Sequence, residues 1–229
     1  MAPLLSFVKP RVPVRSTAAS TPRPIDLGFL TTKVFWVLQI FNIAQGTGYF
    51  LPPNYLPTFA QSIGLSSTLG SLTLVMMNAA STMGCVGVGT LVDRADVTTV
   101  LLGISVGATI SILAAWGLAV SIAPLCVFAV LYGLTAGSYS TAWTGMIKPI
   151  QTRSSGADAN LVFGFLAAGR GLGAVLSGPL SEALIDLNRG SDTGAQSEYG
   201  GPYGRLVVYA GCTAFCGGLS WAFRRVHVI

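Results

Sequence analysis

The residues of this chain that could do chemistry are few, and their types suit recognition, not reaction. Gln39, Asn42 and Gln45 recur at three-residue spacing, which puts three amides within an arc of about 120° on one helical face. Tyr132, Thr135 and Tyr139 fall with Trp143 and Met146 within about 60° of one another at helical periodicity. Such a stripe of hydroxyls and aromatic faces is of the kind that lines solute-binding surfaces. Arg170 stands inside Gly169-Arg170-Gly171-Leu172-Gly173, the one charge between Ala159 and Ser181. No nucleophile has a base to activate it, and no His or Cys set has ligand spacing. Neither an enzyme, a metal centre nor a bound cofactor is expected. Gly103-Ile104-Ser105-Val106-Gly107 fits a nucleophile elbow in letters alone, since its run holds no acid or histidine. Gly169 to Ala174 fits a dinucleotide loop but lacks the preceding strand.

What must position these side chains follows from missing charge. Val34 to Val92 and Thr98 to Ile147 contain no Asp, Glu, Lys or Arg, while 52% of the chain is hydrophobic and only 9% charged. A soluble fold needs charged surface more often than that, so the chain reads as an all-α, polytopic membrane protein whose main partner is the lipid bilayer. A hydrocarbon core about 30 Å thick takes roughly 20 helical residues. Cutting at charges, prolines and glycines predicts six transmembrane helices, near Val34 to Ala60, Ser66 to Val92, Thr98 to Ser121, Ala123 to Ile147, Ala159 to Ile185 and Leu206 to Phe223. The third and fourth need a tight turn around Ser121 and Pro124, because fused they would be roughly twice a bilayer's thickness.

Membrane context sharpens the polar sets. Amides facing lipid are costly, so the face of Gln39, Asn42 and Gln45 should look into protein or a water-filled cavity. Gly46, Gly48, Pro52, Pro53 and Pro57 interrupt the same helix and free backbone carbonyls, which suits solute coordination or gating and equally suits a kinked packing helix. Gly133, Gly137, Ala136, Ser140 and Thr144 form a small-residue seam for close helix contact. Trp143 reads either as part of the polar stripe or as an interfacial belt residue. A charge at the depth of Arg170 costs several kcal/mol unless paired or solvated. Glu182 and Asp186 lie about three and four turns away, so its partner is backbone carbonyls, a carboxylate from outside this chain, or an anionic solute. Its flanking glycines also fit plain helix packing.

Topology follows from the basic residues. Lys9, Arg11, Arg15, Arg23, Lys33, Arg94, Lys148, Arg153, Arg224 and Arg225 fall on one side of the six spans, against Arg189 and Arg205 on the other. Both termini are therefore expected in the cytoplasm, with the plasma membrane as the expected location. The net charge of +5 points to the inner leaflet, not to nucleic acid. Residues 1–33 read as a flexible cytosolic segment, 34–223 as the bundle and 224–229 as a cytosolic tail. Met1 to Val8 is too short an apolar region for a signal peptide. Cys85, Cys126, Cys212 and Cys216 are expected to pack as small apolar residues, and His227 to be solvated.

Met83 to Asp93 superposes on Leu172 to Glu182, matching Gly84 with Gly173, Val86 with Val175, Gly89 with Gly178, Leu91 with Leu180 and Asp93 with Glu182. The matched segments end the second and fifth helices on opposite faces, as a three-plus-three inverted repeat would. Gly89-Thr90-Leu91-Val92-Asp93-Arg94 resembles the cytoplasmic loop signature of the major facilitator superfamily, with Gly89, Asp93 and Arg94 as its marked positions. Gly48 to Pro57, Ala168 to Gly173 and Ser177 to Leu184 are similar to segments of the seventh and eleventh helices of the superfamily's fungal monocarboxylate-transporter-like branch. The resemblance implies one six-helix half of a twelve-helix carrier that moves a small organic solute, with monocarboxylates as one class, by alternating access. It also implies a second half or self-pairing as partner. Gln39, Asn42, Gln45, Asn54, Tyr132, Thr135, Tyr139 and Arg170 are the candidate cavity residues. The branch's proton-coupling acid and arginine are missing, since the second helix offers only Ser71, Thr73, Asn78, Ser81 and Thr82. The alternative is a truncated carrier that transports nothing and acts through interaction with other membrane proteins.

Overall fold

Helix forms along each charge-free run, and no strand occurs among the described residues. The computed structural model describes residues 26–154, 156–189 and 201–225. Most of the expected cytosolic segment, the tail from 226, His227 and the basic residues Lys9, Arg11, Arg15 and Arg23 lie outside them.

The first run is a helix in two pieces, α1 (Lys33–Tyr49) and α2 (Leu51–Ser62), parted at Phe50. Pro52 and Pro53 carry no N–H to continue the ladder of α1, but at the start of α2 their missing donors would have been unpaired anyway. α3 (Ser67–Arg94) starts where the Ser66 side chain accepts from the Leu69 amide. α4 (Val97–Ile110) continues through a π-turn, Ser111–Trp116. α5 (Ile122–Thr135) tightens into a 3-10 segment, Ala136–Ala142, before α6 (Trp143–Arg153). α7 (Ala159–Arg189) is one unbroken helix of 31 residues. α8 (Gly204–Cys216) and a last short turn, α9 (Ser220–Arg225), complete the described chain.

Five stretches are long and apolar enough to cross a membrane: Ser67–Arg94, Val97–Trp116, Ile122–Arg153, Ala159–Leu187 and Gly201–Arg225. The remaining expected span is the pair α1 and α2, whose pieces of 17 and 12 residues are each too short alone. The chain is an integral, multi-pass membrane protein. Two boundaries differ from expectation. The third span ends at Trp116, ahead of the turn that leads into Ile122, and the fourth runs on to Arg153 because Lys148 can remain helical outside the apolar zone.

α1 packs on α7 and α8, α3 packs on α5 and its 3-10 continuation, and α4 packs on α8. Exchanging spans one with four, two with five and three with six turns the packing of the first on the fifth into that of the fourth on the second, keeps the third on the sixth, and turns the first on the sixth into the fourth on the third, which also pack together. The matched glycines show the same repeat in atomic terms. A Cβ on Gly84 would lie 2.5 Å from the Leu134 carbonyl oxygen, and a Cβ on Gly173 would lie 2.8 Å from the Gly46 carbonyl carbon. Each glycine therefore brings its helix against the partner's backbone. Outward from these contacts stand Val75, Met83, Val86 and Val175, each more than 60% exposed.

Two apolar clusters hold the bundle, one around Leu51, Leu56, Phe59, Trp116 and Phe128, the other around Phe35, Leu38, Leu101, Met146 and Leu166. Along the first span Leu38 of α1 belongs to one cluster and Leu51, the first residue of α2, to the other, and Asn42 and Gln45 lie between them. Gly84→Leu and Gly173→Leu should each lower stability by about 2–3 kcal/mol, because the partner is backbone and cannot repack. Gly171→Leu, where nothing lies within 4 Å, should leave it unchanged. Thermal unfolding of the purified chain in detergent checks all three.

Candidate solute site

The rung between the two apolar clusters is built from the amides of α1. Asn42 is fully buried and uses both ends of its side chain: its Nδ2 donates to the Leu166 carbonyl at 2.8 Å, and its Oδ1 accepts from the Trp143 indole at 3.1 Å. Trp143 is thus a member of the buried polar set and not of an interfacial belt. Gln39 donates to the Phe165 carbonyl at 2.8 Å, over a groove that Gly169 leaves open because a Cβ there would strike the amide. Its Oε1 is buried and has no partner among the described residues.

Arg170 sits deeper on α7 and is only 8% exposed. Its Nη1 donates to Gln45 Oε1 at 2.6 Å, and its guanidinium lies 3.9 Å from the centre of the Tyr49 ring. The rings of Tyr139 and Phe50 complete the surround at 5.7 and 5.9 Å. No carboxylate pairs with it among the described residues. Aromatic faces attract a desolvated cation by up to about 2 kcal/mol, and an amide oxygen gives a charge-assisted bond of about 1.5–3 kcal/mol. Together these offset part of the cost of a charge at that depth.

The helix break supplies the geometry. Pro53 stands four residues after Tyr49 and cannot donate to its carbonyl, so that oxygen turns to the Tyr132 hydroxyl at 2.9 Å. Tyr132 and Tyr49 also stack, with ring centres 6.2 Å apart. The carbonyl freed by proline therefore anchors α5 to α1 and holds the Tyr49 ring under the guanidinium. Tyr139 donates to the Gly217 carbonyl at 3.4 Å, just past the end of α8. Gly217 also leaves room for Gln45, since a Cβ there would stand 2.9 Å from the Gln45 side chain.

Six of the eight candidates, Gln39, Asn42, Gln45, Tyr132, Tyr139 and Arg170, thus come together in this buried band. Thr135 does not, because it back-bonds to the Leu131 carbonyl at 2.7 Å and its methyl faces Gly107 of α4. The stripe expected at 3.6 residues per turn is broken just after it, where the chain tightens to 3-10 winding. Asn54 is exposed, one turn into α2, and away from the cluster. Tyr49 was absent from the candidates, although its place four residues after Gln45 and four before Pro53 could have marked it. Of the loop signature, Gly89 packs on Thr141, while Asp93 and Arg94 line an open cleft of about 620 Å³ at the far end of α3. The tether at this loop among the described residues is Asp96 with Arg224, at 2.7 Å, in place of a pair made by Asp93 or Arg94.

The same superposition that matches Gly84 with Gly173 matches Ser81 with Arg170. Ser81 packs against Gly133 and Gly137, four residues apart on α5 and its 3-10 continuation, as Arg170 packs against Gln45 and Tyr49, four apart on α1. One repeat closes this position with glycine and serine. The other opens it and inserts a cation.

No family model matches the chain. It is similar to an MFS-type transporter of Gibberella moniliformis, 24% identical over 222 residues, or 94% of this chain and 49% of that protein. MFS transporter asaE of Aspergillus flavus is 29% identical over 218 residues, 93% of this chain and 47% of the relative. Agnestins efflux protein AgnL12 of Paecilomyces divaricatus is 25% identical over 182 residues, 79% and 42%. The chain spans about half the length of these curated relatives. Its nearly complete coverage by proteins named as fungal MFS transporters agrees with the superfamily resemblance read from its motifs, and the monocarboxylate branch finds no support in these names.

Gln45→Leu should destabilise the chain by about 3 kcal/mol, since it strands a buried cation. Gln45→Glu should lie above Gln45→Leu in melting temperature, and Tyr132→Phe should lose about 1–2 kcal/mol by orphaning the Tyr49 carbonyl. Detergent melting curves for the three variants report these differences.

Proposed function

We infer that this chain forms one six-helix wing of an alternating-access carrier for a small organic anion, with monocarboxylates the first class to test. The observation that carries the reading is Arg170, a buried guanidinium with five donors, one of them held by Gln45 and the rest of its surround aromatic. A carboxylate can take two parallel N–H bonds from such a fork, and it brings the counter-charge that the site lacks. Gln39, whose amide oxygen is unpartnered, and the hydroxyl of Tyr139 are the polar groups that would orient the rest of the solute.

A carrier of this kind rocks two bundles about a mid-membrane site, so the wing described here requires an opposing one, either a second half or a second copy. α3 holds no titratable group between Ser67 and Val92 apart from Cys85, so we assign proton coupling no place on that helix. Both chain ends are assigned to the cytoplasm and the protein to the plasma membrane. A second reading, a membrane protein that binds full-length carriers without moving solute, draws on one observation: α3 and α7 expose bare apolar faces.

Thermal unfolding of the purified chain, screened over carboxylates and neutral metabolites, tests the leading reading. Carboxylates should raise the melting temperature by several degrees in the native chain and by none in Arg170→Gln, with Arg170→Lys keeping part of the effect because it retains charge without the fork. A screen in which no carboxylate shifts the native chain would remove this substrate class. Reconstituted chain that shows no solute flux yet captures a full-length relative would favour the second reading.

A further inference from the structure

The cleft at the α3–α4 junction is unrelated to the buried band and has chemistry of its own. Its wall is formed by Val92 to Thr99 with Gly145, Lys148, Pro149 and Arg224. Asp96 occupies the N-cap position of α4, where an aspartate ordinarily accepts hydrogen bonds from the first-turn amides. Here no side chain caps the helix, because the Asp96 carboxylate is turned to Arg224 at 2.7 Å. The Thr99 and Val100 amides bond back to the Asp96 carbonyl, which leaves the Val97 and Thr98 amides, and the positive end of a helix that runs on to Trp116, at the cleft wall.

A second and independent observation marks the same place. Thr98, in the cleft wall and 2% exposed, carries a hydroxyl with no hydrogen-bond partner among the described residues. Leaving such a group buried and unpaired costs stability, which a ligand oxygen would recover. The charged residues around it are Arg94, Lys148 and Arg224 against Asp93 and Asp96, three cations to two carboxylates. One of each is already joined. Two carboxylates alone could suggest a metal ion, but with three cations beside them the cleft favours an anion.

We propose that this cleft binds a phosphate group at the uncapped start of α4, with Thr98 as donor and Arg94, Lys148 and Arg224 as counter-charges. The phosphate can come from an anionic lipid headgroup or from phosphate free in solution. The cleft lies at the ends of the spans where the basic residues gather, the face that meets anionic lipid when basic residues are held inside.

Two measurements on the whole chain in detergent separate the sources. In native mass spectrometry, chain taken from mixed micelles of phosphatidate and phosphatidylcholine should retain phosphatidate, with Lys148→Gln and Arg94→Gln each cutting retention about fivefold and Lys33→Gln, outside the cleft, having no effect. In thermal unfolding at constant ionic strength, inorganic phosphate should raise the melting temperature more than chloride does. Thr98→Val should raise the melting temperature without phosphate, by removing the orphan hydroxyl, and shrink the phosphate-dependent rise. Retention of phosphatidate supports a headgroup site, and a phosphate-dependent rise without lipid preference supports a site for soluble phosphate. Equal retention of both lipids together with no difference between phosphate and chloride overturns the proposal, as does a response that Lys148→Gln and Thr98→Val leave intact.

Discussion

Every polar group that enters the hydrocarbon layer must find its partner within the bundle, and in this chain the heaviest demand comes from the Arg170 guanidinium. Around it the structure gathers a charge-assisted bond from Gln45, the face of Tyr49, and two further aromatic rings. None of these groups carries a formal negative charge. The cation is therefore held without being neutralised.

The way the band is held depends on proline. A continuous helix would consume the Tyr49 carbonyl in its own ladder and leave Tyr132 with an unpaired hydroxyl. With Pro53 in place, that oxygen is released at the point where α5 can reach it, so the break in α1 becomes a cross-link between spans. Glycine does the complementary work. At Gly84 and Gly133 it lets α3 and α5 meet, and at Gly173 it lets α7 meet α1, where Gln39 and Asn42 reach carbonyls on the neighbouring helix.

Repetition and divergence coexist in the two triplets of helices. The spans pair in the same way in both, and Gly84 and Gly173 make the same backbone approach. Yet the position next to them holds Ser81 between glycines in one and Arg170 between an amide and a phenol in the other. A packing scaffold used twice thus carries a buried cation once. Similarity to fungal MFS transporters over nearly the whole chain, but over about half of each relative, fits a unit of this size.

The amino-acid sequence by itself determined the membrane character, the spans and the repeat, because hydrophobicity, charge and glycine spacing act locally or at a helical period. It also pointed to the right polar helix face, since three amides at three-residue spacing must avoid lipid wherever they find partners. It could not show that Thr135 leaves the stripe, because 3-10 winding from Ala136 is set by packing against α3 and not by the residues' own preferences. Nor could it show Tyr49 beneath Arg170 or Asp96 turned from its own helix to Arg224. Those contacts join residues 121 and 128 positions apart, and the distance between such partners exists only once the helices have packed.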